Sequence, residues 1–145
     1  MILELVALLC IGLFAGAAIY VSLVEHPARL ECGPALAIAE FGPSYRRAAV
    51  MQASLAVGGC LAAAAAWTQG SPTPVLIAGL LLGAAVPFTL IAILPTNKRL
   101  LDAGLNRGSP EAAALLARWG HLHAVRSVVS GVAFLLLGLH RSGVL

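Results

Sequence analysis

Four apolar runs, at 2–24, 48–67, 75–94 and 118–139, divide the chain, and charged side chains fall almost wholly between them. A helix needs about 20 apolar residues to cross the hydrocarbon core of a bilayer, and each run meets that length. The pattern predicts an all-α fold: an integral membrane four-helix bundle forming one domain over 1–145. Gly12 and Gly16 in the first run, and Gly79 and Gly83 in the third, have GxxxG spacing. That spacing lets backbones approach where lipid supplies no hydrophobic drive. Such patches serve packing within one chain or between copies, so a homo-oligomer is an open expectation. The second run, rich in Ala and carrying Gly58 and Gly59, reads as scaffold with little chemistry beyond Gln52 and Ser54. Pro87 predicts a kink in the third run, with Thr89 near enough to satisfy a freed carbonyl.

The segments between the runs set topology. The first loop, 27–45, carries Arg29, Glu31, Glu40 and a Gly42-Pro43 turn signal, and its apolar middle suits a short interfacial helix at 35–41. Residues 68–74 form an uncharged turn. The third loop runs to about 117, and Ser109-Pro110-Glu111 suits a helix start, with serine as N-cap and proline in the first turn. Four crossings leave both termini and the second loop on one side. Arg29, Arg46, Arg47, Lys98, Arg99, Arg107 and Arg118 give seven basic residues in loops one and three, against Arg141 alone opposite. The positive-inside rule then puts loops one and three in the cytoplasm and both termini outside, with a bacterial inner membrane as the expected location. Ala15-Gly16-Ala17 resembles a signal-peptidase site. The start lacks a basic region, however, and the apolar run continues to Val24, so it is read as a retained first helix.

Composition agrees with this picture. The 145 residues are 60% hydrophobic and 10% charged, where a soluble domain carries about 25% charge. The net charge of +3 is confined to loops and suggests no nucleic-acid partner. Cys10, Cys32 and Cys60 are odd in number and have no CxxC spacing, so no disulfide framework is expected.

The candidate chemistry centres on the fourth run. At about 100° per residue, Trp119, His123, Arg126 and Ser130 share one stripe. Arg126 lies roughly 9 Å inside the membrane edge by the helix rise of about 1.5 Å per residue. A guanidinium there costs about 2.5–3.5 kcal/mol unless it snorkels or finds a partner. His121 is about 200° from His123, so only one faces inward, and His123 shares the arginine's stripe. The topology brings Glu25-His26-Pro27, Tyr45-Arg46-Arg47, Pro95-Thr96-Asn97 and 119–126 to one membrane face, with the opposite end bare. Ser22, Glu25 and His26 share a helix face at i, i+3 and i+4. Glu25 is the natural counter-ion for Arg126, while His26, His123 and Asn97 could share a cavity. Plainer roles stay open: an interfacial cap for Glu25 and His26, a snorkelling Arg126, an aromatic-belt Trp119, a helix-capping Asn97.

Four motifs carry a resemblance: Tyr20-x-Ser22-x-x-Glu25-His26-Pro27, Tyr45 at the start of the second run, Pro95-Thr96-Asn97-x-x-Leu100, and Trp119-x-x-x-His123-x-x-Arg126. In these the chain resembles the family of small four-helix membrane proteins that includes the fungal anthrone oxygenases. The resemblance implies oxidation of a hydrophobic phenolic or anthrone-like substrate to a quinone with molecular oxygen and no added cofactor. His123, or the Glu25-His26 pair, would then act as base, Arg126 and Asn97 would stabilise the enolate, and Tyr45, Trp119 and Ser22 would contact substrate. One alternative is a copper or iron oxidase built on Glu25, His26 and His123, since imidazole and carboxylate suit both metals. No HxxxH or ExxH pair lies on one helix to support it. Another is a non-enzymatic binding or transport subunit; the lack of an ionisable relay across the middle of the helices argues against proton-coupled transport.

Overall fold

The structure, a computed structural model, describes residues 1–144. Four helices are long and apolar enough to cross a membrane: α1 (Ile2–Glu31), α2 (Pro34–Thr68), α3 (Thr73–Leu100) and α4 (Pro110–Arg141). No strand occurs among the described residues. A backbone in lipid must satisfy its hydrogen bonds internally, which a helix does within its own segment. The helices pack in ring order, α1 against α2 and α4, and α3 against α2 and α4.

Three helix boundaries depart from expectation, and proline is at the centre of two. The first and third helices were expected to stop near Val24 and Leu94, before Pro27 and Pro95. Both run on, to Glu31 and Leu100. In each, a π-helical turn comes just ahead of the proline: Val21–Glu25 before Pro27, and Thr89–Ile93 before Pro95. Proline removes a hydrogen bond and crowds the carbonyl four residues back. Widening the preceding turn lets the chain pass without ending the helix. The widened bonds are explicit, with the His26 N–H donating to the Val21 carbonyl and the Leu94 N–H to that of Thr89. The third departure is α2, which starts at Pro34 and not near 48, absorbing the expected interfacial helix. Its 35 residues extend about 52 Å at 1.5 Å per residue, so its first turns project beyond a hydrocarbon core of about 30 Å. Ser109 caps α4, accepting from the Ala112 N–H at 3.2 Å.

Two apolar layers fill the interior. The layer nearer the termini is built from small residues and a few large ones, including Ala7, Ile11, Phe14, Ala56, Ala63, Val75, Leu82 and Leu137. The other joins Phe41, Ile93, Leu100, Leu116 and Trp119. In the first layer α2 and α3 cross closely. A Cβ at Gly59 would stand 2.6 Å from Leu82 Cδ2, and one at Gly79 would overlap Ala63 Cβ. Gly16, by contrast, has nothing within 4 Å of a Cβ position, so half of the first GxxxG patch has no partner inside the chain.

The end expected to be bare carries a polar clasp. Glu4, buried on α1, accepts from Ser71 Oγ at 2.6 Å and pairs with Arg141 at 2.7 Å. One carboxylate thereby ties the first helix to the second loop and to the end of α4.

Gly79→Ala is expected to lower stability by about 1–3 kcal/mol, the usual cost of overpacking a tight contact. Gly16→Ala should stay within about 0.5 kcal/mol of wild type. Thermal midpoints in detergent check both, and an unchanged midpoint for Gly79→Ala would contradict the close crossing.

Candidate functional site

Between the two apolar layers lies a cavity of about 200 Å³, walled by all four helices. Its lining is mostly Ala, Val, Leu, Ile and Phe, with a few polar groups that converge from different helices. Six of the residues singled out from sequence line it: Glu25, Tyr45, Asn97, Trp119, His123 and Arg126. Two do not. Ser22 turns toward α4, and His26 lies behind Trp119 against Gly120. The π turn at Val21–Glu25 explains the split. It breaks the i, i+3, i+4 relation that would have put Ser22, Glu25 and His26 on one face.

Trp119 is the hub of the site and no belt residue, for its side chain is buried. His123 stacks on it at 4.7 Å between ring centroids, Phe41 meets it edge-on at 5.4 Å, and His26 packs against it at 5.0 Å. The Arg29 guanidinium lies 5.8 Å from its ring centre. These contacts fix the indole plane, and with it the plane of His123. His26 reaches its place only because residue 120 is glycine: a Cβ there would stand 2.6 Å from His26 Nε2. Tyr45 stacks on Phe41 with ring planes 2° apart.

The charges pair differently from expectation. Glu25 does not meet Arg126. It pairs with Arg29, four residues along α1, and accepts from Ser44 Oγ at 3.3 Å. Arg29 also pairs with Glu40. A partner one helical turn away has the favoured i, i+4 geometry, and it claims the carboxylate before α4 can. Arg126 instead donates to the Gln52 side-chain carbonyl on α2 and lies over the Phe14 ring at 5.2 Å. It therefore stays in the cavity wall and does not snorkel. Neither of these partners carries a negative charge. Asn97 is buried, its side chain caps no helix end, and its Oδ1 has no hydrogen-bond partner. Trp119 Nε1 and Arg126 Nε also lack partners. Among the residues lining the cavity, two buried donors and one buried acceptor are thus unpaired, beside an arginine with a neutral partner.

His123 is held through one nitrogen, with Nδ1 3.1 Å from Ser22 Oγ, while its ring lines the cavity. Glu25, His26 and His123 do not converge as a metal-ligand set. The first is committed to Arg29 and the second lies behind the indole. No three His, Cys, Asp or Glu side chains are grouped for a metal ion among the described residues.

Sequence reasoning missed three contributors. Arg29 was assigned to a loop, although its spacing from Glu25 was a legible signal. Gln52 was passed over as scaffold, although an amide inside an apolar helix needs a partner. Ser127, one turn beyond His123, joins Ser22 at 2.7 Å.

Fold and site together define a small helical membrane protein with an internal pocket that combines an imidazole and a guanidinium. Residues 41–136 match the family described as anthrone oxygenase. The chain is 40% identical over 86 residues to the anthrone oxygenase tpcL of Aspergillus fumigatus, a match covering 54% of this chain and 53% of that protein. It is 30% identical over 139 residues to an anthrone oxygenase of Claviceps purpurea, covering 86% of this chain and 80% of that one. The match thus spans about half the length of the first relative and most of the second. No solved structure matches the chain significantly. The chain belongs to the anthrone oxygenase family.

If Gly120 exists to admit His26, Gly120→Ala costs about 1–3 kcal/mol alone and under about 0.5 kcal/mol in a His26→Ala background. A double-mutant cycle on thermal midpoints measures the difference. Equal losses in both backgrounds would separate the two residues.

Proposed function

We propose that the cavity is the active site of an oxygenase acting on a flat, hydrophobic phenolic ketone of the anthrone type. The observation that carries this reading is Arg126: its hydrogen-bond partner is the neutral amide of Gln52, and it shares the cavity with His123 and the unpaired Asn97. A cation without an anion in an apolar wall favours any bound molecule that becomes anionic. An anthrone does so when it loses a proton from its methylene carbon.

In this reading His123 takes that proton, and Arg126 stabilises the enolate oxygen. Asn97 Oδ1 accepts from a phenolic hydroxyl. The enolate adds molecular oxygen at carbon, and the imidazolium returns a proton to the peroxide. Removal of the second methylene hydrogen breaks the O–O bond and releases water, leaving the quinone carbonyl. One anthrone and one oxygen molecule give one quinone and one water. Every step uses the chain's own side chains, and no metal held by Glu25, His26 and His123 is required.

A second, more open groove supports arrival of the substrate from the bilayer. It runs between α1 and α2 past Ala17, Tyr20, Pro43, Arg47 and Met51, and shares Val21, Glu25, Ser44, Ala48 and Gln52 with the cavity. The seven basic residues expected in loops one and three, six of which lie within the helices' ends at this side, support a topology with this end in the cytoplasm.

Oxygen uptake by the purified protein in detergent, with emodin anthrone, tests the reading. His123→Ala and Arg126→Ala are each expected to lower kcat/KM by about 10²–10⁴ while the protein stays folded. Copper and iron are counted on the same samples. Uptake that tracks metal content would favour a metal oxidase, and uptake no faster than spontaneous oxidation would remove this substrate class.

A further inference from the structure

A short hydrogen-bonded chain runs behind His123, away from the cavity. Its Nδ1 is 3.1 Å from Ser22 Oγ, which is 2.7 Å from Ser127 Oγ, which is 2.8 Å from the Ala18 backbone carbonyl. Ser127 also lies 3.4 Å from the His123 carbonyl. Ser127 and His123 are buried, and Ala18 is fully so. The chain links α1 and α4 at the opening of the π turn, and no substrate-facing residue belongs to it except His123.

The direction of its protons follows from what each group can do. A carbonyl only accepts, and a serine hydroxyl has one proton to give. Both backbone oxygens near Ser127 are acceptors, so its proton goes to one of them, with Ala18 at the shorter distance. Across the 2.7 Å contact Ser22 must then be the donor. Having spent its single proton, Ser22 can only accept from the imidazole. That requires a proton on His123 Nδ1 and leaves the Nε2 lone pair free. In neutral imidazole the hydrogen bond at one nitrogen sets the state of the other.

We propose that Ser22 and Ser127 are positioning residues that fix His123 as the Nδ1–H tautomer, so that Nε2 presents its lone pair to the substrate. Ser22 is thereby moved from substrate contact to a supporting role behind the base, and Ser127 gains a role no motif suggested. The stacked Trp119 holds the ring plane from the cavity side, and the two serines hold its rotation from behind. The consequence for catalysis rests on the oxygenase reading above, but the tautomer itself does not.

The test is the nitrogen spectrum of 15N-histidine-labelled full-length protein in detergent, with His123 assigned by comparison with His123→Ala. Wild type is expected to show a protonated Nδ1 and a bare Nε2 without substrate. Ser127→Ala frees Ser22 to donate toward Nδ1, so the tautomer should shift toward Nε2–H. Ser127→Thr keeps a hydroxyl and should keep Nδ1–H. Ser22→Ala removes the acceptor and should likewise lose the Nδ1–H preference, providing a second reading if Ser127→Ala does not fold. In oxygen uptake, Ser127→Ala should lower kcat at least tenfold with KM within about twofold, and by no more than the 10²–10⁴ that a positioned base contributes. A wild-type spectrum with the proton on Nε2 overturns the proposal, as does an Nδ1–H state that survives in both alanine variants. An Nδ1–H wild type that shifts as expected but takes up no oxygen upholds the positioning and sinks the oxygenase reading.

Discussion

A guanidinium in an apolar wall, hydrogen-bonded to a neutral amide, is the constraint on which the site depends. Placing Arg126 there costs about 2.5–3.5 kcal/mol if it is left unaided. A hydrogen bond from a charged group returns roughly 1.5–3 kcal/mol, and an aromatic face roughly 0.5–2 kcal/mol. Gln52 and Phe14 supply one of each. They offset the cost of burial without neutralising the charge. A carboxylate at Gln52 would hold the arginine better and remove its attraction for an anionic ligand.

The rest of the bundle keeps that situation intact. The carboxylate in the cavity wall, Glu25, is occupied by Arg29, which also holds Glu40 from α2. The π turn carries Glu25 to the cavity and His26 behind the indole, where Gly120 makes room. Trp119 then separates the two histidines, contacting both. At the far end the Glu4–Ser71–Arg141 clasp holds α1 to α4. The small residues between allow α2 and α3 to close tightly while the polar end keeps a cavity. Tight packing at one end and space at the other follow from where Gly59 and Gly79 fall, against Phe41 and Trp119.

Much of this was legible in the chain. Helix number came from the apolar runs, and the stripe of Trp119, His123 and Arg126 from a helical period that α4 keeps without interruption. Legibility failed where the period changed. Pro27 and Pro95 read as helix ends, because a π turn leaves no mark in composition and shows only as a helix that outlasts its proline. Residues on either side of such a turn are rotated relative to one another, so Ser22 and His26 were put on the wrong face. Pairing between helices was out of reach for a different reason. Whether Glu25 finds Arg126 or Arg29 depends on the rotation of two helices about their axes, which no single helix encodes. The i, i+4 spacing of Glu25 and Arg29 was the one local clue. Family membership supports oxygenase-like chemistry in general, and the pairing of Arg126 with a neutral amide is the physical feature on which the proposed reaction rests.

The most direct measurement is the visible spectrum of 1,8-dihydroxyanthraquinone bound to the detergent-purified protein, at a pH where the free quinone is un-ionised. If Arg126 holds its charge available for an anion, the bound quinone should show the red-shifted spectrum of its phenolate. That shift should vanish in Gln52→Glu, where a carboxylate answers the guanidinium. A bound quinone that stays un-ionised in wild type, or a phenolate spectrum that persists in Gln52→Glu, would contradict the account.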